Sequence, residues 1–177
     1  LFPYASYDDA LFDVLRLSRG MSHKNAVAGL PHGGGKGVII ADPSQKTEAM
    51  FEAFGEAVNN LGGDYITAED VNTTCDDAMV MLRKTNHICG LPMNSGDPSP
   101  FTARGVWQGI KATAKVALGR DDLEGLTIAV QGLGKVGWDL CRHLHESGAK
   151  LIIANRSNKE MAEKAIQEFG AVIVPTE

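Results

Sequence analysis

The sequence predicts an α/β protein in two parts, and three stretches carry that expectation. Residues 126–174 alternate short apolar runs with helical patterns in the order strand, helix, strand, helix, strand. That order builds a parallel sheet with right-handed crossovers. Residues 90–100 hold Gly90, Gly96, Pro92, Pro98 and Pro100 with Asn94, Ser95 and Asp97, the strongest loop composition in the chain. It sets the expected boundary, with parts at 1–98 and 99–177. The first part is arranged around a glycine-rich stretch from Gly29 to Pro43.

Each element has its own signal. A helix is expected from Ser6 to about Met21, because Ser6 and the acidic Asp8 and Asp9 suit its start and Leu11, Val14 and Leu15 recur at helical spacing. Val38 to Ala41 reads as a short buried strand closed by Asp42-Pro43. A second helix is expected over about 46–61, with Met50, Phe54, Val58 and Leu61 on one face and Gly62-Gly63 at its end. Asp64 to Thr67 reads as a strand delivering Ala68, Glu69 and Asp70 at its C-terminal end, and Cys75, Ala78, Met79 and Leu82 form the core stripe of a third helix. A long helix over about 102–118 leads into the second part. There the strands are Leu126–Gln131, Lys150–Ala154 and Ala171–Val174, and Ser157-x-x-Glu160 is a capping box for the helix between the last two.

Composition narrows the classes of function. The chain has 177 residues, 44% hydrophobic and 22% charged, with a net charge of −5 and no basic run, which argues against nucleic acid or an anionic membrane surface as main partner. No apolar segment approaches the ~20 residues of a membrane span. Cys75, Cys89 and Cys141 are odd in number and share no C-x-x-C spacing, so neither a disulfide framework nor a zinc or other metal site is indicated and a reduced, cytoplasmic setting fits. Leu1 opens the chain inside a stretch that reads as structured, and Glu177 directly follows a strand, so the sequence reads as an internal piece of a longer protein.

The second part carries Gly132-Leu133-Gly134-Lys135-Val136-Gly137 directly after a buried strand and at the opening of a helix. In that context G-x-G-x-x-G is a dinucleotide-binding signature: Gly132 for the tight turn, Gly134 for close approach of the pyrophosphate, Gly137 for helix–strand packing, and the helix N-terminus facing the anion, with Lys135 and Val136 in the same loop. About twenty residues on, where a carboxylate normally binds the adenosine ribose, the chain has Asn155 followed by Arg156. Asn155 does not repel a 2′-phosphate and Arg156 can pair with one, which suits NADP. Equally, Arg156 can point to solvent while Asn155 bonds the ribose of NAD.

In the first part, Gly33-Gly34-Gly35 precede Lys36. Glycines there allow φ > 0 and close approach of a substrate or nicotinamide ring. A phosphate-binding P-loop is excluded twice, because its first glycine would fall at Leu30 and Lys36 is followed by Gly37 in place of Ser or Thr. Lys24 lies twelve residues earlier, Asp70 sits where a strand gives way to a helix, and Thr102 starts the helix leading into the second part. α/β folds place reactive groups at such strand ends.

Leu30-x-x-Gly33-Gly34-Gly35-Lys36-x-Val38-x-x-x-Asp42-Pro43 resembles, at every position, the active-site signature of the glutamate/leucine/phenylalanine/valine dehydrogenase family. Met21-x-x-Lys24-Asn25-Ala26, Thr67-Ala68-Glu69-Asp70-Val71 and Val130-Gln131-Gly132-Leu133-Gly134-x-Val136-Gly137 agree in order and spacing, and the likeness looks closest to the leucine dehydrogenase branch. The resemblance implies a two-domain fold, a substrate domain with a mixed sheet and a Rossmann-like nucleotide domain, each incomplete here. It implies reversible NAD(P)-dependent oxidative deamination of an L-amino acid to a 2-oxo acid and ammonia, by a homo-oligomer.

Residue by residue, it implies that Lys24 binds the substrate carboxylate, Lys36 polarises the keto oxygen and orients water, and Asp70 is acid/base for the amino group. Gly33, Gly34 and Ala68 would contact substrate, and Thr102, Gly132, Gly134, Lys135, Val136, Gly137, Asn155 and Arg156 the nucleotide. A lysine crowded by a second cation has its pKa lowered towards working pH, which fits Lys36 near Lys24. The resemblance further implies small apolar walls around Ala68, and hence leucine or another aliphatic substrate. Phenylalanine, valine, tryptophan or glutamate, a non-catalytic dinucleotide-binding homologue, and a dehydrogenase of another family sharing only the nucleotide half are the alternatives.

Overall fold

A computed structural model describes residues 1–93, 96–156 and 158–176. The chain divides into two compact units, Leu1–Asp97 and Pro98–Glu177. Each has its own hydrophobic core.

The first unit is built on helices. α1 (Tyr7–Val27) starts where expected, its N-cap Ser6 accepting a hydrogen bond from the Asp9 N–H. It continues through Lys24, so that lysine sits in the last helical turn. A 3-10 turn at Pro43–Gln45 is closed by a capping box between Asp42 and Gln45. α2 (Glu48–Asn60) is capped by Thr47, and α3 (Cys75–Leu82) by Thr74 with Asp77 reciprocating. Phe51 and Val58 of α2 pack with Ala78, Val80 and Met81 of α3, joined by Ile88 and Leu91. The buried face of α2 therefore runs through Phe51, Gly55 and Val58, while the expected Leu61 is 52% exposed. The helix ends at Asn60, and Leu61 caps it on the solvent side.

The strands and mixed sheet expected of this unit are corrected by the structure. Val38–Ala41 and Asp64–Thr67 are extended segments that meet a partner at single points, Phe2 with Ile40 and Thr67 with Ile88, both parallel. Phe2 N–H donates to Ile39 and Ala41 N–H returns to Phe2; Thr67 N–H donates to His87 and Cys89 N–H returns to Thr67. A strand needs a neighbour along its length to satisfy its backbone groups, and among the described residues each segment has one for a single residue. Ile40 is accordingly 47% exposed where burial was expected.

The second unit follows the sequence more closely. α4 (Ser99–Leu118) ends at Gly119 in the left-handed region. β1 (Thr127–Gln131), β2 (Lys150–Ala154) and β3 (Val172–Val174) form a parallel sheet in the order β1-β2-β3, with Thr127 opposite Lys150 and Ile152 opposite Val172. α5 (Lys135–Glu146) and α6 (Lys159–Phe169) connect them. Leu140, Cys141 and Leu144 of α5, Ala165 and Phe169 of α6 and Leu151 and Ile153 of β2 are buried together in the core. Two expectations shift. Thr102 lies in the first turn of α4 and does not start it, because the helix begins three residues earlier at Ser99 behind Pro98. Ser157 of the expected capping box lies outside the described residues, and the cap of α6 is Asn158, which accepts from the Met161 N–H. Among the described residues no helix is long and apolar enough to cross a membrane.

Candidate active site

Lys36 and Asp70 form a direct ion pair and hydrogen bond. The lysine side chain is 23% exposed and the aspartate 52%. Asp70 is presented by a tight turn: its N–H donates to the Thr73 hydroxyl at 2.7 Å, and that hydroxyl donates back to the Asp70 carbonyl at 2.8 Å. Asn72 takes a left-handed φ of 59° to close it. Burial works against ionisation of the Asp70 carboxyl, but the hydrogen bond and charge of Lys36, with the Val71 N–H, outweigh it and hold the pKa below the ordinary value. The ammonium of Lys36 thus contacts an anion, whereas sequence reasoning placed it beside the cation Lys24.

Lys24 is nevertheless part of the same site. Lys24, Lys36 and Asp70 all line one cavity of about 560 Å³, with Arg16, Tyr4 and Asp13 also on its wall. The Tyr4 hydroxyl donates to Asp13, and that bond to a carboxylate pushes its pKa up to about 12. Lys36 and Asp70 also bound a second cavity of about 190 Å³, whose apolar wall includes Phe51, Phe54, Ile39 and Met81, with Ala68 on its rim.

The glycine run is shaped by the protein's own packing. No residue from Gly33 to Gly37 has positive φ. A Cβ on Gly34 would lie 2.0 Å from the Ser18 carbonyl oxygen and 2.2 Å from the Ser22 nitrogen, both in α1. On Gly35 it would strike the Tyr65 ring at 2.7 Å, and on Gly37 the Phe54 ring at 2.6 Å. The run is pinned to α1 by the Gly34 N–H donating to Ser22 Oγ (3.0 Å) and Asn25 Nδ2 donating to the Gly33 carbonyl (2.7 Å). Gly33 and Gly34 are therefore turned to α1, and neither lines the two cavities. The φ > 0 that these glycines allow is not used.

Sequence reasoning passed over Glu69. Only 9% exposed, it lines the smaller cavity, and its Oε2 is buried without a hydrogen-bond partner among the described residues. The sequence pattern misleads here: Ile66 and Ala68 alternate as the apolar face, yet in the structure they are exposed and Thr67 and Glu69 are buried.

The second unit presents a dinucleotide cradle. Gly132 adopts a φ of 92° and its N–H donates to the Ala154 carbonyl at 2.8 Å, crossing from β1 to β2. A Cβ on Gly137 would lie 2.1 Å from the Gly132 carbonyl oxygen, whereas one on Gly134 would meet nothing within 4 Å. The first turn of α5, with Lys135 and Val136, has no side-chain cap at Gly134, leaving N–H groups of the kind that bind a pyrophosphate. These residues fit a dinucleotide. Asn155 serves the loop itself, its Oδ1 accepting from the Leu133 N–H (3.2 Å) and its Nδ2 donating to the Asn158 carbonyl (2.7 Å). Arg156 beside it is exposed. The Thr102 hydroxyl donates to the Pro98 carbonyl at 3.1 Å, one turn back in α4.

The lysine of the glycine run, its aspartate partner and the separate glycine turn after β1 can be compared with known proteins. Residues 2–87 match the family model of the Glu/Leu/Phe/Val dehydrogenase dimerisation domain. It is 53% identical to a leucine dehydrogenase of Geobacillus stearothermophilus over 98% of this chain and 48% of that protein. It is 48% identical to an L-tryptophan dehydrogenase of Nostoc punctiforme, covering 100% of this chain and 50% of that one. The crystal structure of an L-tryptophan dehydrogenase from Nostoc punctiforme superposes with a TM-score of 0.71 at 43% identity, covering 98% of this chain and 49% of its own. The chain spans about half the length of the curated relatives it matches.

Proposed function

We propose that this chain carries the catalytic residues and part of the nucleotide site of an L-amino-acid dehydrogenase. The reaction is reversible oxidative deamination to a 2-oxo acid and ammonia, with leucine or another branched-chain aliphatic amino acid as substrate. The observation that carries the reading is the direct pairing of Lys36 with Asp70 on the wall of the cavity that Lys24 also lines.

The chemistry follows from these side chains. Lys24 holds the substrate α-carboxylate and fixes the Cα position. Asp70, kept ionised by its neighbour, is the acceptor for the proton that the substrate ammonium loses before a hydride can leave Cα. A nicotinamide held by the Gly132–Gly137 cradle supplies the hydride acceptor when bound. Lys36 orients the water that adds to the resulting imine carbon and stabilises charge on its oxygen as the C–N bond breaks and ammonia departs. In the reverse direction the same lysine polarises the keto oxygen and Asp70 returns the proton to nitrogen.

The apolar wall of the smaller cavity favours an aliphatic side chain. The likeness to tryptophan dehydrogenase keeps a larger apolar substrate in the panel to be tested. Self-association is part of the same proposal, supported by the name of the matching family model and by the exposed Phe12 and Leu15 of α1. The test is Lys36→Ala in the full-length protein, assayed against a panel of L-amino acids with NAD and NADP separately. A fall in kcat of about 10²-fold or more with nucleotide binding retained is expected. Near-normal turnover would remove the mechanism.

A further inference from the structure

Glu69 stands in the candidate active site without a role in the chemistry above. Its carboxylate is buried, one oxygen lacks a partner among the described residues, and it lines the same 190 Å³ cavity as Lys36 and Asp70. A buried acceptor with no donor is costly, so a donor supplied by the occupant of the cavity is the natural complement.

The occupant's own groups identify that donor. Lys36 and Asp70 are engaged in their direct pair, and Lys24, on the wall of the larger cavity with Arg16 and Asp13, can meet the carboxylate of a bound amino acid. The ammonium of the zwitterion is the donor left, and on the wall of the smaller cavity Glu69 carries the buried acceptor without a partner among the described residues. Asp70 is poorly suited to that ground-state task because Lys36 holds its Oδ2 and the Val71 N–H holds its Oδ1.

We propose that Glu69 is the ammonium-binding residue of this site, holding the substrate amino group in deamination and incoming ammonium in the reverse reaction. The inference rests on the amino-acid dehydrogenase reading. Substrate lies across the Lys36–Asp70 pair, its carboxylate towards Lys24 in the larger cavity and its nitrogen towards Glu69 in the smaller. Asp70 then acts on a nitrogen that Glu69 has already positioned.

The test is Glu69→Gln in the full-length protein, an isosteric change that keeps the volume and removes the charge. The wild type is assayed first in both directions. If it neither oxidises an amino acid nor aminates an oxo acid, the dehydrogenase reading itself fails. If it does, Glu69→Gln is expected to raise KM for ammonium and for the amino acid by about 10- to 100-fold, the loss of one charge-assisted hydrogen bond in a buried site. KM for the 2-oxo acid and for the nucleotide, neither of which carries an ammonium, should stay within about twofold. Equal effects on oxo acid and ammonium, or none on ammonium, would overturn the proposal. So would a variant that no longer folds by thermal melting, since the carboxylate would then serve the fold.

Discussion

Gly137→Ala is the most exacting test of the nucleotide half, because the structure gives its cost directly. The added Cβ would lie 2.1 Å from the Gly132 carbonyl oxygen and 3.1 Å from its carbon, both backbone atoms that no rotamer change can move. Reaching an ordinary contact of about 3.4 Å requires the N-terminus of α5 to retreat from the loop by about 1.3 Å. Overpacking of this kind costs about 1–3 kcal/mol. It also displaces the N–H groups proposed to face the pyrophosphate. Gly134→Ala is the matched control: its φ is −73° and its Cβ meets nothing within 4 Å, so the fold accepts it. In thermal melts with and without NAD, and in nucleotide titrations, Gly137→Ala should lower both Tm and affinity. Gly134→Ala should leave Tm unchanged and lower affinity alone, because its methyl group meets only the ligand. Wild-type Tm and affinity in Gly137→Ala, or a Tm loss in Gly134→Ala, would refute the reasoning.

Other outcomes follow from single contacts. Because Lys36 and the Val71 N–H hold Asp70 below its ordinary 3.8 against the opposing effect of burial, its ionisation stabilises the fold at pH values above 3.8. That contribution is lost as pH falls through the lower folded value, so Asp70→Asn should flatten the acid limb of a plot of Tm against pH. Gly34→Ala, with its Cβ 2.0 Å from the Ser18 carbonyl oxygen, should push the glycine run off α1. It should lower kcat/KM by about 10²-fold, the scale of a 1 Å misplacement of a catalytic group, while nucleotide affinity is retained. Arg156→Ala should raise KM for NADP and leave KM for NAD unchanged if the arginine meets a 2′-phosphate; equal effects on both would assign it to solvent.

The parallel sheet of the second unit was legible because its information is local. Each strand is a short apolar run, each helix has its cap or glycine stop, and Gly132 and Gly137 announce a turn and a close contact that the structure contains. The first unit was less legible because its extended segments depend on partners distant in sequence. Val38–Ala41 has the pattern of a strand, yet among the described residues it pairs only through Phe2, some forty residues away. Lys36, Lys24 and Asp70 were picked out from their order, and the structure brings all three to one cavity. The Lys36–Asp70 contact was not foreseen, since a separation of 34 residues has no sequence signature. Packing demands smallness at Gly34, Gly35 and Gly37, against α1 and two aromatic rings, and none of the run uses the φ > 0 that glycine allows.

That last difference bears on how the site is held. Lys24 is in the final turn of α1, and the segment leading to Lys36 is docked on that helix by two hydrogen bonds and a backbone approach that admits no Cβ at Gly34. The two lysines are thus carried by one rigid contact, although neither touches the other in sequence. Tyr65 and Phe54 close on Gly35 and Gly37 from the opposite side, which fixes the lysine between them. Asp70 arrives from a third segment whose turn is closed by its own Thr73 hydroxyl. In the proposed reaction, preorganisation of this kind would let two cations and an anion act on one substrate nitrogen and oxygen without rearranging. It requires Gly34, Gly35 and Gly37 to be small on the protein side.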